Sequence, residues 1–220
     1  MSPQGGGGIP ADALDFYDDL AAENTRAWWQ ANRARWEESV REPMERLVDA
    51  LADEFGEARL YRPHRDVRFS ADKSPYKDHQ GALAGPVPGI GYYVQVSGDG
   101  LLTGGGFYPT GPDQTPRYRA AVDAPASGGR LQEVVDGLVA AGFELGGETV
   151  ATRPRGVPAD HPRLELMRHK HLLAGRQHGA PPWVPTPEVV DRVRADWRAV
   201  RPLVEWLTEH VGATEAPRGR

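Results

Sequence analysis

Cysteine is absent from this 220-residue chain, and lysine, isoleucine and asparagine are scarce at three, two and two copies. Without cysteine there is no disulfide framework, no thiolate metal site and no cysteine nucleophile. No apolar run approaches the roughly 18 residues of a membrane span, and the N-terminus carries no secretory h-region. The net charge of −5 argues against a general coat for DNA or RNA. No GxSxG, P-loop or HExxH occurs, so no known catalytic template assigns a reaction. What is left is a globular protein, cytoplasmic and of bacterial type, with no membrane association. Its 39% hydrophobic and 26% charged residues suit one sizeable core.

The lysine count has a further use. Arginine supplies 23 of the 26 basic residues, while Gly reaches 26 and Pro 20. That bias is what a GC-rich genome imposes, so abundant Arg, Ala, Gly and Pro say nothing about function. Against it, Lys73 and Lys77 stand out, two of three lysines set four residues apart.

Residues 1–9, with Gly5 to Gly8, and residues 213–220 read as disordered tails around a single domain at 10–212. Arg176 to Thr186 (RQHGAPPWVPT) reads as an extended surface linker, with Trp183 pinned to the core. No internal repeat is visible.

Helical periodicity is strong at both ends. A short helix is expected from Ala11 to Ala22, with Asn24 as N-cap of the next. There Trp29, Trp36, Val40, Met44, Leu47, Leu51 and Phe55 form an amphipathic stripe that Pro43 kinks and Gly56 ends. Trp29 and Trp36 lie on that stripe, so they read as core rather than as a stacking platform. A last helix starts at Thr186-Pro187 and repeats Val190, Val193, Trp197, Val200, Val204, Leu207 and Val211, with Pro202 as a kink. Shorter helices are expected from Thr115 to Asp123, from Ser127 to Gly142, and from Asp160 to His169.

The middle of the chain alternates instead. Gly91–Ser97 and Leu101–Tyr108 flank Gly98-Asp99-Gly100, a hairpin signal. Gly104-Gly105-Gly106 inside the second strand points to a bulge or to close approach of another group. Leu60–Phe69, Phe143–Thr152 and Leu172-Leu173 are further strand candidates. The fold class expected is α+β, a mainly antiparallel sheet built from hairpins and flanked by N-terminal and C-terminal helices.

The segment from Arg59 to His79 is +3 in a chain whose net charge is −5. Arg62, Arg65 and Arg68 recur every third residue, which on a strand sets Arg62 and Arg68 on one face. Pro75 fixes a turn that could aim Lys73 and Lys77 at one spot. The box RxxRDxRFSxDKxPYKxH comprises Arg62, Arg65, Asp66, Arg68, Phe69, Ser70, Asp72, Lys73, Pro75, Tyr76, Lys77 and His79. It resembles the signature of the bacterial and fungal family known as domain of unknown function 2461. Asn24 with Trp28-Trp29, Gly91-Tyr92-Tyr93 with Gly104–Gly106, Arg119 with Val122-Asp123, and Pro154-x-Gly156 leading to Asp160-His161-Pro162 match as well. The likeness covers nearly everything from Phe16 to Leu207 and departs at His64, where the family more often has an aromatic residue. It implies no established activity, substrate or cofactor.

The chemistry of the box stays open between three readings. In the first, Arg65, Asp66, Arg68, Lys73, Tyr76, Lys77 and His79 form a site for a small phosphate- or carboxylate-bearing ligand. The same residues could instead be a salt-bridge network with Asp66, Asp72 and Asp78. In the second, Asp66, Lys73 and His79 serve an enzyme of unknown reaction. In the third, the box or the Pro-rich linker is a purely structural or protein-interaction surface. No metal site is expected, because His64, Asp66 and His79 lack a ligand spacing; no cofactor is expected, and the acidic body without a basic tail makes nucleic acid an unlikely partner. Oligomeric state is not legible.

Overall fold

The computed structural model describes residues 7–66 and 73–216. It is an α+β fold with a six-stranded antiparallel sheet and helices at both ends. Helix α1 spans Ala11–Ala22 and buries Ala13, Phe16, Tyr17 and Leu20, the one-face spacing of an amphipathic helix. Helix α2, Arg26–Trp36, is capped by Thr25, whose hydroxyl accepts the Trp28 N–H at 3.1 Å, and not by the expected Asn24. A π turn at Glu37–Arg41 then leads into α3, Glu42–Asp49, and α4, Ala52–Phe55. The turn sits just before Pro43, which has no N–H to donate and whose ring crowds the carbonyl four residues back; a wider turn accommodates both effects. Every residue of the Trp29-to-Phe55 stripe is buried.

The strands are β1 Ala58–Leu60, β2 His79–Val87, β3 Ile90–Ser97, β4 Gly100–Phe107, β5 Glu144–Gly146 and β6 Leu173–Gly179. Their order in the sheet is β1-β2-β3-β4-β6-β5. The expected hairpin is β3–β4, turning at Gly98-Asp99. Of the Asp-Gly pair only Gly100 takes positive φ, at 94°, because among the described residues no side-chain-bearing residue does. The strand expected over Leu60–Phe69 stops at Leu60, ahead of Pro63, so the two-face alternation of Arg62 and Arg65 does not apply. The strand expected over Phe143–Thr152 shrinks to β5. It pairs antiparallel with β6, Glu144 opposite Gly175, rather than with a local hairpin partner.

Between the strands lie α5 Gln114–Asp123, α6 Pro125–Ala140 and α7 Leu164–Arg168, and the chain closes with α8, Glu188–His210. Ser127 is not the cap of α6, which already begins at Pro125; its hydroxyl donates to the Ala121 carbonyl at 2.6 Å. Val193, Trp197, Val200, Val204, Leu207 and Val211 are buried as their spacing requires, and so are Leu203 and Trp206. The apolar face of α8 is thus wider than a coiled-coil seam and suits packing on a core. No helix among the described residues is long and apolar enough to cross a membrane.

The described residues divide into two compact units. The first takes residues 7–66, 73–84, 93–103 and 177–195. Its core is aromatic, with Phe16, Tyr17, Trp29, Trp36 and Tyr76 all buried. Gly8 and Ile9, read from sequence as tail, are held here: the Ile9 N–H donates to the Val184 carbonyl at 2.9 Å and Ile9 is buried. The segment read as a linker from Arg176 is strand β6 as far as Gly179. Trp183 beyond it packs against the His178 ring at 5.1 Å.

The second unit takes residues 85–92, 104–176 and 196–216. Tyr118, Trp197 and Trp206 are its largest fully buried side chains. Their polar atoms are served where needed: the Tyr118 hydroxyl donates to the Leu166 carbonyl at 3.0 Å and the Trp206 indole to the Ser127 carbonyl at 2.9 Å. The start of the second expected tail is also tied down. Asp113 accepts the Glu215 N–H at 2.9 Å and the Thr214 hydroxyl, and Arg117 donates to the Ala213 carbonyl. Gly8, Ile9 and residues 213–215 are thus held where a neighbouring backbone or side chain takes up their hydrogen bonds.

Candidate functional site

The described parts of the positively charged box, residues 62–66 and 73–79, are pinched together within the first unit. The Arg65 N–H donates to the Pro75 carbonyl at 2.9 Å and the Lys77 N–H to the Pro63 carbonyl at 2.8 Å, on either side of an antiparallel bridge between His64 and Tyr76. Both acceptors are prolines, which have a carbonyl to offer and no N–H to leave unpaired. The pinch is fastened from outside by Asn24. Its amide donates to the Tyr76 carbonyl at 3.0 Å and accepts the Tyr76 N–H at 3.2 Å.

Tyr76 is the anchor. Its ring stacks on Trp29 with centroids 4.2 Å apart and planes 9° from parallel, and only 5% of the residue is exposed. Trp29 in turn meets Trp36 and Phe16. Neighbouring residues of an extended segment point to opposite sides. With Tyr76 turned into the core, Lys77 emerges half-buried on the other side.

There Lys77 Nζ lies 5.2 Å from the centre of the Tyr61 ring, a cation–π distance. Among the described residues it has no carboxylate partner. Burial, and behind it the guanidinium groups of Arg62 and Arg65, hold its pKa below the ordinary lysine value. Asp78 lies between an imidazole and a guanidinium, with Oδ1 2.7 Å from His79 Nδ1 and Oδ2 3.7 Å from Arg65 Nη2. Partial burial opposes its ionisation, but His79 and Arg65 outweigh that and keep its carboxyl below the usual range. Burial raises the phenols of Tyr61 and Tyr93 nearby, so both stay neutral.

The structure thus groups Arg62, Arg65, Lys77, Asp78 and His79. Asp66 and Lys73 are exposed on the same loop. Arg68, with Phe69, Ser70 and Asp72, lies outside the described residues. The carboxylate beside His79 is Asp78, which the sequence offered only as one of three acids of a salt-bridge network; adjacency in sequence at the start of β2 places them together. Tyr61 and Gln80 were not among the expected site residues, and Tyr93 entered only through the family likeness. Gln80 is 1% exposed, its amide donating to the Tyr61 and Gly81 carbonyls at 2.8 and 3.0 Å. Its Oε1 accepts nothing among the described residues.

Loss of the Asn24 clamp has a measurable consequence. Asn24→Ala should lower stability by about 1–3 kcal/mol, because the backbone groups of buried Tyr76 lose both partners. Urea unfolding checks it, and a midpoint equal to that of the parent would show that the loop holds without the clamp.

The second unit offers less. His161 Nδ1 accepts the Arg163 N–H at 3.1 Å, which leaves Nε2 to donate to Asp123 at 3.1 Å. Arg163 also donates to the Val122 and Asp123 carbonyls. These bonds fasten the approach to α7, which begins at Leu164 rather than at the expected Asp160. Beside them runs an open groove of about 710 Å³ whose apolar lining includes Val135, Val139, Leu145 and Leu164. No group of three or more His, Asp or Glu able to hold a metal occurs among the described residues.

A family model described as "Conserved hypothetical protein (DUF2461)" matches residues 12–206. No curated protein and no solved structure matches the chain.

Proposed function

We propose, from the premise that this chain belongs to the DUF2461 family, that the Arg62–His79 loop binds a small anionic ligand bearing phosphate or carboxylate. Arg65, Lys77 and His79 would grip it, with Arg68 and Lys73 of the same loop. Asp66 and Asp78 would orient the cations, and Tyr76 would anchor the loop. The observation that carries this reading is Lys77. In a structural network every cation has its carboxylate, yet Lys77 is half-buried against Tyr61 with no acid among the described residues. Such an ammonium, backed by two guanidinium groups, gains from an arriving anion. The chain's overall acidity favours a small molecule over nucleic acid as that anion.

Thermal unfolding in the presence of inorganic phosphate, nucleotides and carboxylates tests it, since a ligand of the folded state raises the midpoint with concentration. Lys77→Ala should weaken the responding anion by about 1.5–3 kcal/mol, the value of one charged hydrogen-bond donor. Equal shifts in the parent and the variant, or none in either, would leave the loop as architecture.

A further inference from the structure

We propose that Lys77 is a reactive amine and that the anion it meets is an oxo acid, whose carbonyl carbon it joins as an imine. The inference rests on the anion-site reading and adds the chemical class of the ligand. Three lysines are available for comparison. Lys170 is paired with Glu148, and Lys73 is exposed. Lys77 alone is half-buried against an aromatic face, in the field of the Arg62 and Arg65 guanidinium groups, with no carboxylate partner among the described residues. Partial desolvation and neighbouring positive charge are the two features that make a lysine amine nucleophilic near neutrality, and both act on this one.

The same neighbourhood holds the other parts the reaction needs. Arg65 is a fork suited to a carboxylate. His79 and Asp78, 2.7 Å apart, form a pair able to take up and return protons. A lysine at 77, in a chain with only three, fits as well, because a guanidinium would match its charge but cannot form an imine. In the step itself the neutral Nζ forms a bond to the carbonyl carbon. The carbonyl π pair moves to oxygen, which takes a proton from His79, while the nitrogen, left cationic by the new bond, returns one of its two protons to the same imidazole; the product is a neutral carbinolamine. The nitrogen lone pair then expels that oxygen as water after a second protonation, and the nitrogen gives up its proton to leave the imine. One water leaves, no electrons change hands, and hydrolysis by the reverse path releases the ligand.

The test uses the whole chain, its Lys77→Arg and Lys77→Gln variants, and two probes, glyoxylate and the carbonyl-free dicarboxylate oxalate. Each protein is incubated with glyoxylate and cyanoborohydride, which fixes an imine as a secondary amine, and the lysines are read by peptide mass spectrometry. The expected result is saturable labelling of Lys77, several-fold above Lys73 and Lys170 and suppressed by oxalate. Lys77→Arg should still show a thermal shift with oxalate. Equal labelling of the three lysines, with oxalate shifting the midpoint of both the parent and Lys77→Arg, overturns the imine while the anion site stands. Preferential labelling of Lys77 that oxalate does not suppress, with no thermal shift from either probe, overturns the anion site and this inference together. Circular dichroism on both variants separates a lost lysine from a lost fold.

Discussion

Replacing Trp29 with alanine should lower the stability of the protein by about 3–5 kcal/mol, the usual cost of deleting a buried Trp or Phe side chain. Trp29 is 6% exposed and sits where Phe16, Trp36 and Tyr76 meet. The lost volume therefore lies among three rings that cannot all close in. The variant should also act beyond stability. Without its stacking partner, Tyr76 loses a contact worth about 0.5–1.5 kcal/mol beyond burial. The segment that carries Lys77 then leans more heavily on the Asn24 clamp and on its backbone hydrogen bonds with Pro63 and Pro75. Any anion-induced thermal shift should shrink along with the midpoint. Trp36→Ala makes the comparison: it is similarly buried, with the same expected cost, but its ring partner is Trp29 and not Tyr76. Urea unfolding of the two variants should show like losses, with the anion response falling further in Trp29→Ala. A Trp29→Ala protein with the parent midpoint would place this stripe in solvent.

The features legible in the sequence are those written locally. The stripes of α2–α4 and α8 repeat at helical spacing over many turns, so no tertiary contact could reverse them. The β3–β4 turn is similarly local. Asn24 shows where local reading fails. Asn and Thr are both good caps, and Thr25 takes the role because Asn24 is engaged by Tyr76, 52 residues away. Strand β2 was not visible because its residues are small or proline-limited, Gly81 through Pro86 giving no alternation. Within the site, the concentration of charge and the choice of lysine could be read directly. That Asp78 rather than Asp66 joins His79, and that Tyr61 lies under Lys77, depends on where β1 ends and β2 begins. That boundary is set by pairing, Leu60 opposite Ala82, and not by the residues alone.

Two glycine-to-alanine changes should have opposite signs, and the contrast reads the sheet in the second unit. Gly106 has φ of 146°, and a Cβ there would stand 2.2 Å from the Leu172 carbonyl oxygen and 2.8 Å from the Leu173 Cα. Both neighbours are backbone, so neither can rotate away. Gly104 is crowded in the same way by the Ala174 carbonyl. The close approach that the Gly104–Gly106 run foreshadowed is therefore that of the chain at 172–175. Gly106→Ala adds backbone strain of about 1–3 kcal/mol to overpacking of about 1–3 kcal/mol. A loss of at least about 2 kcal/mol is expected, with the fold intact only if the parent is stable enough to bear it. Gly129 lies inside α6 with ordinary φ and nothing within 4 Å of a Cβ. There alanine removes the entropic penalty of glycine in a helix and should raise stability by about 0.5–1 kcal/mol. Chemical unfolding of the two variants beside the parent decides it. A Gly106→Ala protein as stable as the parent would mean that β4 and the 172–175 segment are not packed backbone to backbone.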